Sequence, residues 1–437
     1  MSSMLWCELA WLGGERPEPG VLLTIEGEQI VSVEPRTSAR AGAEQLAGLT
    51  LPGLANSHSH AFQRALRGRT QGGSGSFWTW REQMYRLAGM IDPDGYLALA
   101  RATFGEMALA GITVVGEFHY LHHEPNGKPY ADPNAMGEVV VRAAAEAGVR
   151  ITLIDACYLR GGFSEELDPV QRRFADADVH AWAERVGALR APRVGAAIHS
   201  VRAVDPDSAR TLATWAAERG APLHAHVSEQ PGENEGSLAA TGLSPTALLA
   251  SLDALSESFT AVHATHLTDV DIGLLGGARA TCCFCPTTER DLADGIGPAR
   301  RLRDAGALLA LGSDSHALID MFEEARAVEL DERLATGARG NHSAADLMRA
   351  ATENGYRCLG WENGGRIAAG CLADLVTVGL DSVRLSGTDH PHALESVLFA
   401  GGAPDVRQVM VDGRFVVRDG KHVSLDVPRE LSMAIGP

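Results

Sequence analysis

Apolar residues in the central part of the chain fall in short continuous runs, and most runs end in a histidine or an acid. The eight clearest are LTLPGLANSHSH, GITVVGEFHY, RITLIDACY, RVGAAIHS, APLHAHV, FTAVHATH, RATCCFCP and LLALGSDSH. Parallel strands buried on both faces read this way. The predicted strands end near His60, His119, Ala156, His199, His226, His263, Cys285 and Asp314. Helical stretches such as Asp207 to Arg219 and Pro245 to Ala254 lie between them. This alternation predicts βα units, a parallel sheet and an α/β fold. Polar groups gathered at the carboxyl ends of eight strands predict a TIM-like (β/α)8 barrel. The interval from Leu51 to about Ala369 exceeds the roughly 250 residues of a minimal barrel, which leaves room for insertions. Arg69 to Ser76 (RTQGGSGS) is Gly-rich and is expected to be a flexible loop after the first strand.

The ends alternate instead. VLLTIEGEQIVSVEP, within Glu8 to Pro35, reads as two strands around a Gly turn. Ile367 to Gly379 and Val406 to Val423 look similar, punctuated by Asp412-Gly413 and Asp419-Gly420. Neither end has enough strands for a stable sheet alone. The two therefore combine into one small β domain: residues 1–50 and 370–437 flank a barrel of residues 51–369.

Composition narrows the function classes. Hydrophobic content of 45% allows a large core, and a net charge of −18 argues against nucleic acid and anionic membranes as partners. No apolar run approaches a transmembrane helix. The start, MSSMLWCELAWLGGERPEPG, lacks the basic and long apolar regions of a signal peptide. Seven scattered cysteines fit a reducing cytoplasm better than a disulfide framework.

The candidate chemistry lies at the strand ends. If Leu49 to Asn56 is a strand, His58 and His60 project to one side of its end. A catalytic zinc needs about three protein ligands and an open position. His58, His60 and His226 offer neutral nitrogen, and Asp314 offers a hard oxygen that also accepts a proton. Glu229, three residues after His226, is placed to move a proton between water and a substrate nitrogen. His263 is placed to polarise the attacked centre. Only two of 38 basic residues are lysines, Lys128 in a Pro/Gly loop and Lys421 in the C-terminal β region. Neither ends a barrel strand, so a lysine-bridged metal pair is not expected, and one metal per chain is. Other groups have plainer readings. His224 is structural, His266 hydrogen-bonds in a loop, His122 and His123 are surface or supporting groups, and Cys282, Cys283 and Cys285 pack the core. His316 either shapes the site wall or does nothing there. No H-E-x-x-H motif, P-loop or dinucleotide fingerprint is present.

HSH, HAHVSEQ, VHATH and GSD, in this order at successive strand ends, resemble the mononuclear deaminase branch of the amidohydrolase superfamily. The terminal segments, including RIAAGCLADLVTV, resemble its small β-sandwich. NSHSHAFQRAL, SFWTWREQMYRL, GEFHYLHH, HSVRAV, HAHVSEQ and CPTTERDLADG resemble the formiminoglutamate deiminase family within it. That resemblance implies hydrolysis of N-formimino-L-glutamate to N-formyl-L-glutamate and ammonia in histidine degradation. It also implies one Zn²⁺ held by His58, His60, His226 and Asp314, with Glu229, His263 and Asp314 catalytic. A cytoplasmic homodimer is implied on the same ground. A substrate with two carboxylates needs donors, and arginine is the favoured partner. Arg81 and Arg202 are the candidates by chemistry and resemblance; Gln63, Tyr120 and His199 match the family's pocket residues. Arg81 also has a plainer role open to it, stacking on Trp78 or Trp80. Two alternatives stand beside this reading. One is a deaminase of ring amidines such as guanine, cytosine or adenosine derivatives, which needs an aromatic slot in a chain only 5% aromatic. The other is a non-enzymatic barrel, which the full ligand set argues against.

Overall fold

The computed structural model describes residues 2–72, 75 and 77–436. Eight strands, β5 (Leu54–Ser59), β6 (Ile112–His119), β7 (Arg150–Cys157), β8 (Val194–Ile198), β9 (Leu223–Val227), β10 (Phe259–His263), β11 (Thr281–Phe284) and β12 (Leu308–Leu311), pair in chain order. Every pair is parallel. Each residue of β5 and β6 is buried, as strands covered on both faces must be. The two edges meet just beyond β12. His60 N–H donates to Asp314 O (3.1 Å) and Asp314 N–H donates to His58 O (3.0 Å). The barrel thus closes through the backbone of its own candidate ligands.

The helices between strands start and stop where local chemistry dictates. Asp205 caps Pro206–Arg219 by accepting from Ser208 N–H, Pro206 sits in the first turn, and Gly220 ends the helix at φ +57°. Ser244 caps Pro245–Ser251, which stops short of the expected Ala254.

The remaining strands form one sheet from both termini. They are β1 (Ser2–Ala10), β2 (Glu18–Glu26), β3 (Gln29–Glu34), β4 (Glu44–Pro52), β13 (Leu375–Val378), β14 (Val406–Val411), β15 (Arg414–Arg418) and β16 (Lys421–His422). The order is β16-β15-β14-β13-β4-β1-β2-β3, antiparallel except for β1 with β4. The sheet curls, because Ile30 N–H reaches Cys371 O (2.9 Å) and Ala373 N–H reaches Glu28 O (2.7 Å). Inside the curl lies a separate core that includes Leu5, Cys7, Val21, Leu23, Leu375 and Met410. The hairpin turns Asp412-Gly413 and Asp419-Gly420 have positive φ at both residues, as two-residue hairpins of the favoured hand require.

One expectation needs correction. Leu49 to Asn56 is not one strand: its first residues belong to β4 and its last to β5, in different sheets. Gly53 marks the crossing, where a Cβ would collide with Thr113 Oγ1. The flexible loop expected over residues 69–76 includes 73, 74 and 76, which lie outside the described residues. Among the described residues no helix is long and apolar enough to cross a membrane. All seven cysteines are buried and unpaired.

Candidate metal centre and active site

The ends of β5, β9 and β10 and the turn after β12 bring His58, His60, His226, His263 and Asp314 together. His58 Nε2 lies 3.2 Å from His226 Nε2 and 3.2 Å from Asp314 Oδ1, and His60 Nε2 lies 3.3 Å from the same oxygen. The ligand-type atoms of His58, His60 and His226 lie within 4.8 Å of one another, as do those of His58, His263 and Asp314. Strain gathers here too. Ser228 (φ +53°), His263 (+68°), Ala264 (+50°) and Asp314 (+42°) all sit in the left-handed region that side chains avoid.

The tautomers follow from the backbone. His60 Nδ1 lies 2.9 Å from Phe118 O, and His226 Nδ1 lies 2.9 Å from His199 O. A carbonyl only accepts, so both Nδ1 atoms carry the proton and both Nε2 atoms present lone pairs to the centre. Burial pulls His58 down to a pKa of about 3, and pulls His60 and His226 down as well. All three are neutral at pH 7. Burial opposes ionisation of Asp314, yet the histidines around it hold its carboxyl below the usual range. Converging imidazole lone pairs around a carboxylate repel one another unless a cation lies between them. The donor set therefore fits a divalent metal, with nitrogen and oxygen ligands of the kind zinc takes.

Proton-handling groups border the cluster. Glu229 Oε1 lies 3.8 Å from His263 Nε2, which is 3.9 Å from Asp314 Oδ2. Burial raises the Glu229 carboxyl above its ordinary value, with His263 opposing. Burial lowers His263, but Glu229, Glu289 and Asp314 outweigh it and hold its pKa well up. On the far side, His263 Nδ1 faces Glu289 Oε1 at 3.3 Å, and that oxygen also accepts Cys285 N–H at 2.8 Å. Glu289 and Asp294 come from CPTTERDLADG, a stretch whose text carried the family resemblance but to which no role was attached.

The pocket over this cluster is lined by every expected substrate-binding residue: Gln63, Arg81, Tyr120, His199 and Arg202. Gln63 Nε2 donates to the Tyr120 hydroxyl (2.9 Å). Arg202 Nε lies 3.6 Å from the buried Glu233. Arg81 also takes its plainer role, its guanidinium 4.5 Å from the Trp78 ring centroid. Trp80, expected only as a stacking partner for Arg81, completes the wall with Phe77, Met84, Tyr85, Tyr158, Phe174 and Leu292, which the sequence did not single out.

The amidohydrolase family model matches residues 49–416. This chain belongs to the amidohydrolase family. It is 38% identical over 410 residues to formimidoylglutamate deiminase of Pseudomonas aeruginosa, covering 90% of each chain. It is also 30% identical over 389 residues to 8-oxoguanine deaminase of the same organism (87% of this chain, 84% of that one). An amidohydrolase from Brucella melitensis superposes with a TM-score of 0.91 at 32% identity, over 99% of both chains. An adenosine deaminase from Xanthomonas campestris with bound zinc shares the fold, with a TM-score of 0.84 at 23% identity over 99% of this chain and 96% of that one.

Within this amidohydrolase the remaining histidines divide cleanly. His224 turns away from the pocket, its Nε2 3.1 Å from Cys358 O, and His266 Nε2 lies 2.7 Å from Asp294 O in a loop. His122 and His123 are not on the surface. Both are buried against an ion network in which Arg185 joins Asp155 and Asp176. His316 lies below the site, its ring nitrogens 2.9 Å from Ser313 Oγ and 3.2 Å from Ser59 Oγ, and it lines no wall of the pocket.

Proposed function

We propose that this amidohydrolase is a zinc-dependent deiminase that hydrolyses N-formimino-L-glutamate to N-formyl-L-glutamate and ammonia, a step of histidine degradation. The observation that carries the reading is one pocket with a histidine–carboxylate cluster in its floor and two arginines, Arg81 and Arg202, in its wall. The 38% identity to formimidoylglutamate deiminase supports it.

His58, His60, His226 and Asp314 would hold one zinc ion per chain. When bound, such an ion supplies an acidified water, its pKa lowered from 15.7 to roughly 7. Glu229, kept basic enough by burial to hold a proton near neutrality, takes that proton and returns it to the formimino nitrogen. Nitrogen then leaves as ammonia and oxygen stays on the formyl carbon. His263 Nε2, near both Glu229 and Asp314, holds a positive hydrogen-bond donor beside the attacked carbon. Asp314 accepts a proton on its free oxygen. Arg81 and Arg202 bind the carboxylates, and Gln63, Tyr120 and His199 orient the chain between.

A second reading draws on a specific observation. Phe77, Trp80, Tyr85, Tyr120, Tyr158 and Phe174 line the pocket, so a low overall aromatic content does not exclude a ring substrate. Under that reading the arginines have no anion to meet.

Ammonia release from N-formimino-L-glutamate, 8-oxoguanine and methylthioadenosine separates the two. Preference for formiminoglutamate is expected, and preference for either ring compound overturns the proposal. Arg81→Met and Arg202→Met should each lower kcat/KM by about 10- to 150-fold with metal retained. Glu229→Gln should keep the metal and lose roughly 10²- to 10⁴-fold in turnover. Gel filtration checks the expected homodimer.

A further inference from the structure

Gln171 stands behind the pocket wall, 5% exposed, in the segment between β7 and β8. Its amide orientation is fixed, because Oε1 accepts the backbone N–H of Asp168 (2.9 Å) and so must be the oxygen. Nε2 therefore lies nearest the phenol oxygens of Tyr158 (3.0 Å) and Tyr85 (3.2 Å), both in the pocket wall, with the Gly161 carbonyl farther off at 3.4 Å. An amide NH2 only donates, so both tyrosine oxygens accept, and both hydroxyl protons are directed elsewhere. One hydroxyl can donate to the other. The second proton is left for an acceptor in the pocket that Arg81 and Arg202 also line. Burial pushes the Tyr158 phenol up, which keeps it protonated and a donor.

We infer that Gln171 sets the Tyr85–Tyr158 pair so that one hydroxyl donates to a substrate carboxylate while the other supports it, and anion recognition is shared between the two arginines and a polarised tyrosine pair. This rests on the proposed reaction. It adds a means of discrimination: fixed O–H donors favour an acceptor such as a carboxylate and disfavour a group that presents N–H at that position. Gln171 is a positioning residue and acts only through the two phenols.

Three variants test it: Tyr85→Phe, Tyr158→Phe and Gln171→Glu. The carboxylate in Gln171→Glu still accepts from Asp168 N–H, but it draws the phenol protons toward itself and away from substrate. At least one tyrosine variant should raise KM for N-formimino-L-glutamate about tenfold, and Gln171→Glu more, on the order of 100-fold. In each, kcat should change less than about threefold and metal content should stay constant. In a Tyr85→Phe/Tyr158→Phe background, Gln171→Glu should add almost nothing to KM, whereas a merely structural role would add its full effect. Binding of N-formyl-L-glutamate, measured by calorimetry, reads the same donors without turnover. Should the parent fail to hydrolyse formiminoglutamate yet bind N-formyl-L-glutamate more tightly than the variants, the donor pair stands and the proposed reaction falls. Parent-like KM and parent-like binding in all three variants overturn the inference, as does a full additive effect of Gln171→Glu without the phenols.

Discussion

Two clusters of buried histidine and carboxylate lie at the carboxyl ends of the barrel strands. His58, His263 and Asp314 form one and His119, His122 and Asp155 the other, each with its ligand-type atoms within 4.8 Å of one another. They differ in what the carboxylate already holds. Asp155 accepts two bonds from Arg185 (both 2.9 Å) and one from Trp182 Nε1 (3.0 Å). Burial works against its charge, but Arg185 wins and holds Asp155 below the usual carboxylate range. His122 Nε2 is likewise engaged, 2.9 Å from Ala156 O. Asp314 has no arginine clamp; its Oδ1 faces His58 and His60 Nε2 at 3.2 and 3.3 Å, and its Oδ2 lies 3.9 Å from His263 Nε2. Residue type and proximity therefore do not make a metal centre. The carboxylate must be uncommitted, and a fixed cation such as Arg185 both satisfies it and repels a second one.

The largest expected effect breaks the first cluster. Asp314→Asn or His58→Ala should lose bound metal and, with it, activity on the order of 10⁴-fold or more; elemental analysis and ammonia release check both. Next comes the second cluster. Arg185→Met leaves Asp155 and Asp176 buried without their cation and should cost about 3–5 kcal/mol in urea unfolding. The same variant sharpens the contrast: with Asp155 released, added zinc should raise its Tm more than it raises the parent's. A smaller effect is pH dependence. Burial lowers the His122 pKa to about 4 in the fold, against roughly 6.5 in an unfolded chain. Between those values the unfolded state binds the extra proton, so His122 costs stability as pH falls, by up to about 1.4 kcal/mol per unit. His122→Gln should flatten the stability profile from pH 6.5 to 4. The smallest signal is a count: parent purified without added metal should carry one equivalent, and a second tightly held equivalent would erase the comparison.

The barrel was legible because a parallel strand has no polar face to hide behind: eight apolar runs ended in polar groups, and those groups are where the chemistry sits. The break at Gly53 was not, since Leu49 to Asn56 is apolar throughout and nothing in the run says that it changes sheets. His58, His60, His226 and Asp314 were readable from their side-chain chemistry at strand ends. Glu289 was not, because its contact with His263 depends on how the turn after β11 folds back, and spacing along the chain carries no such distance. His122 and His123 read as peripheral because a polar loop follows them; Arg185, on a later helix, is what buries them. Low aromatic content misled for a related reason, since an average does not say that six rings share one wall.

The seam that closes the barrel also sets a clock. Asn56 and Ser313, which hydrogen-bond across it, are 257 residues apart. At a synthesis rate of about 5–20 residues per second, roughly 13–50 s separate the appearance of the two sides. During that interval His58 and His60 exist without Asp314, on an edge strand that still lacks its neighbour. The oxygen ligand of the proposed set arrives only with the turn after the last barrel strand, so the site is completed late. Full occupancy of the proposed metal site would therefore report completed translation of the barrel, since a chain stalled before Leu308 carries His58, His60 and His226 but lacks Asp314.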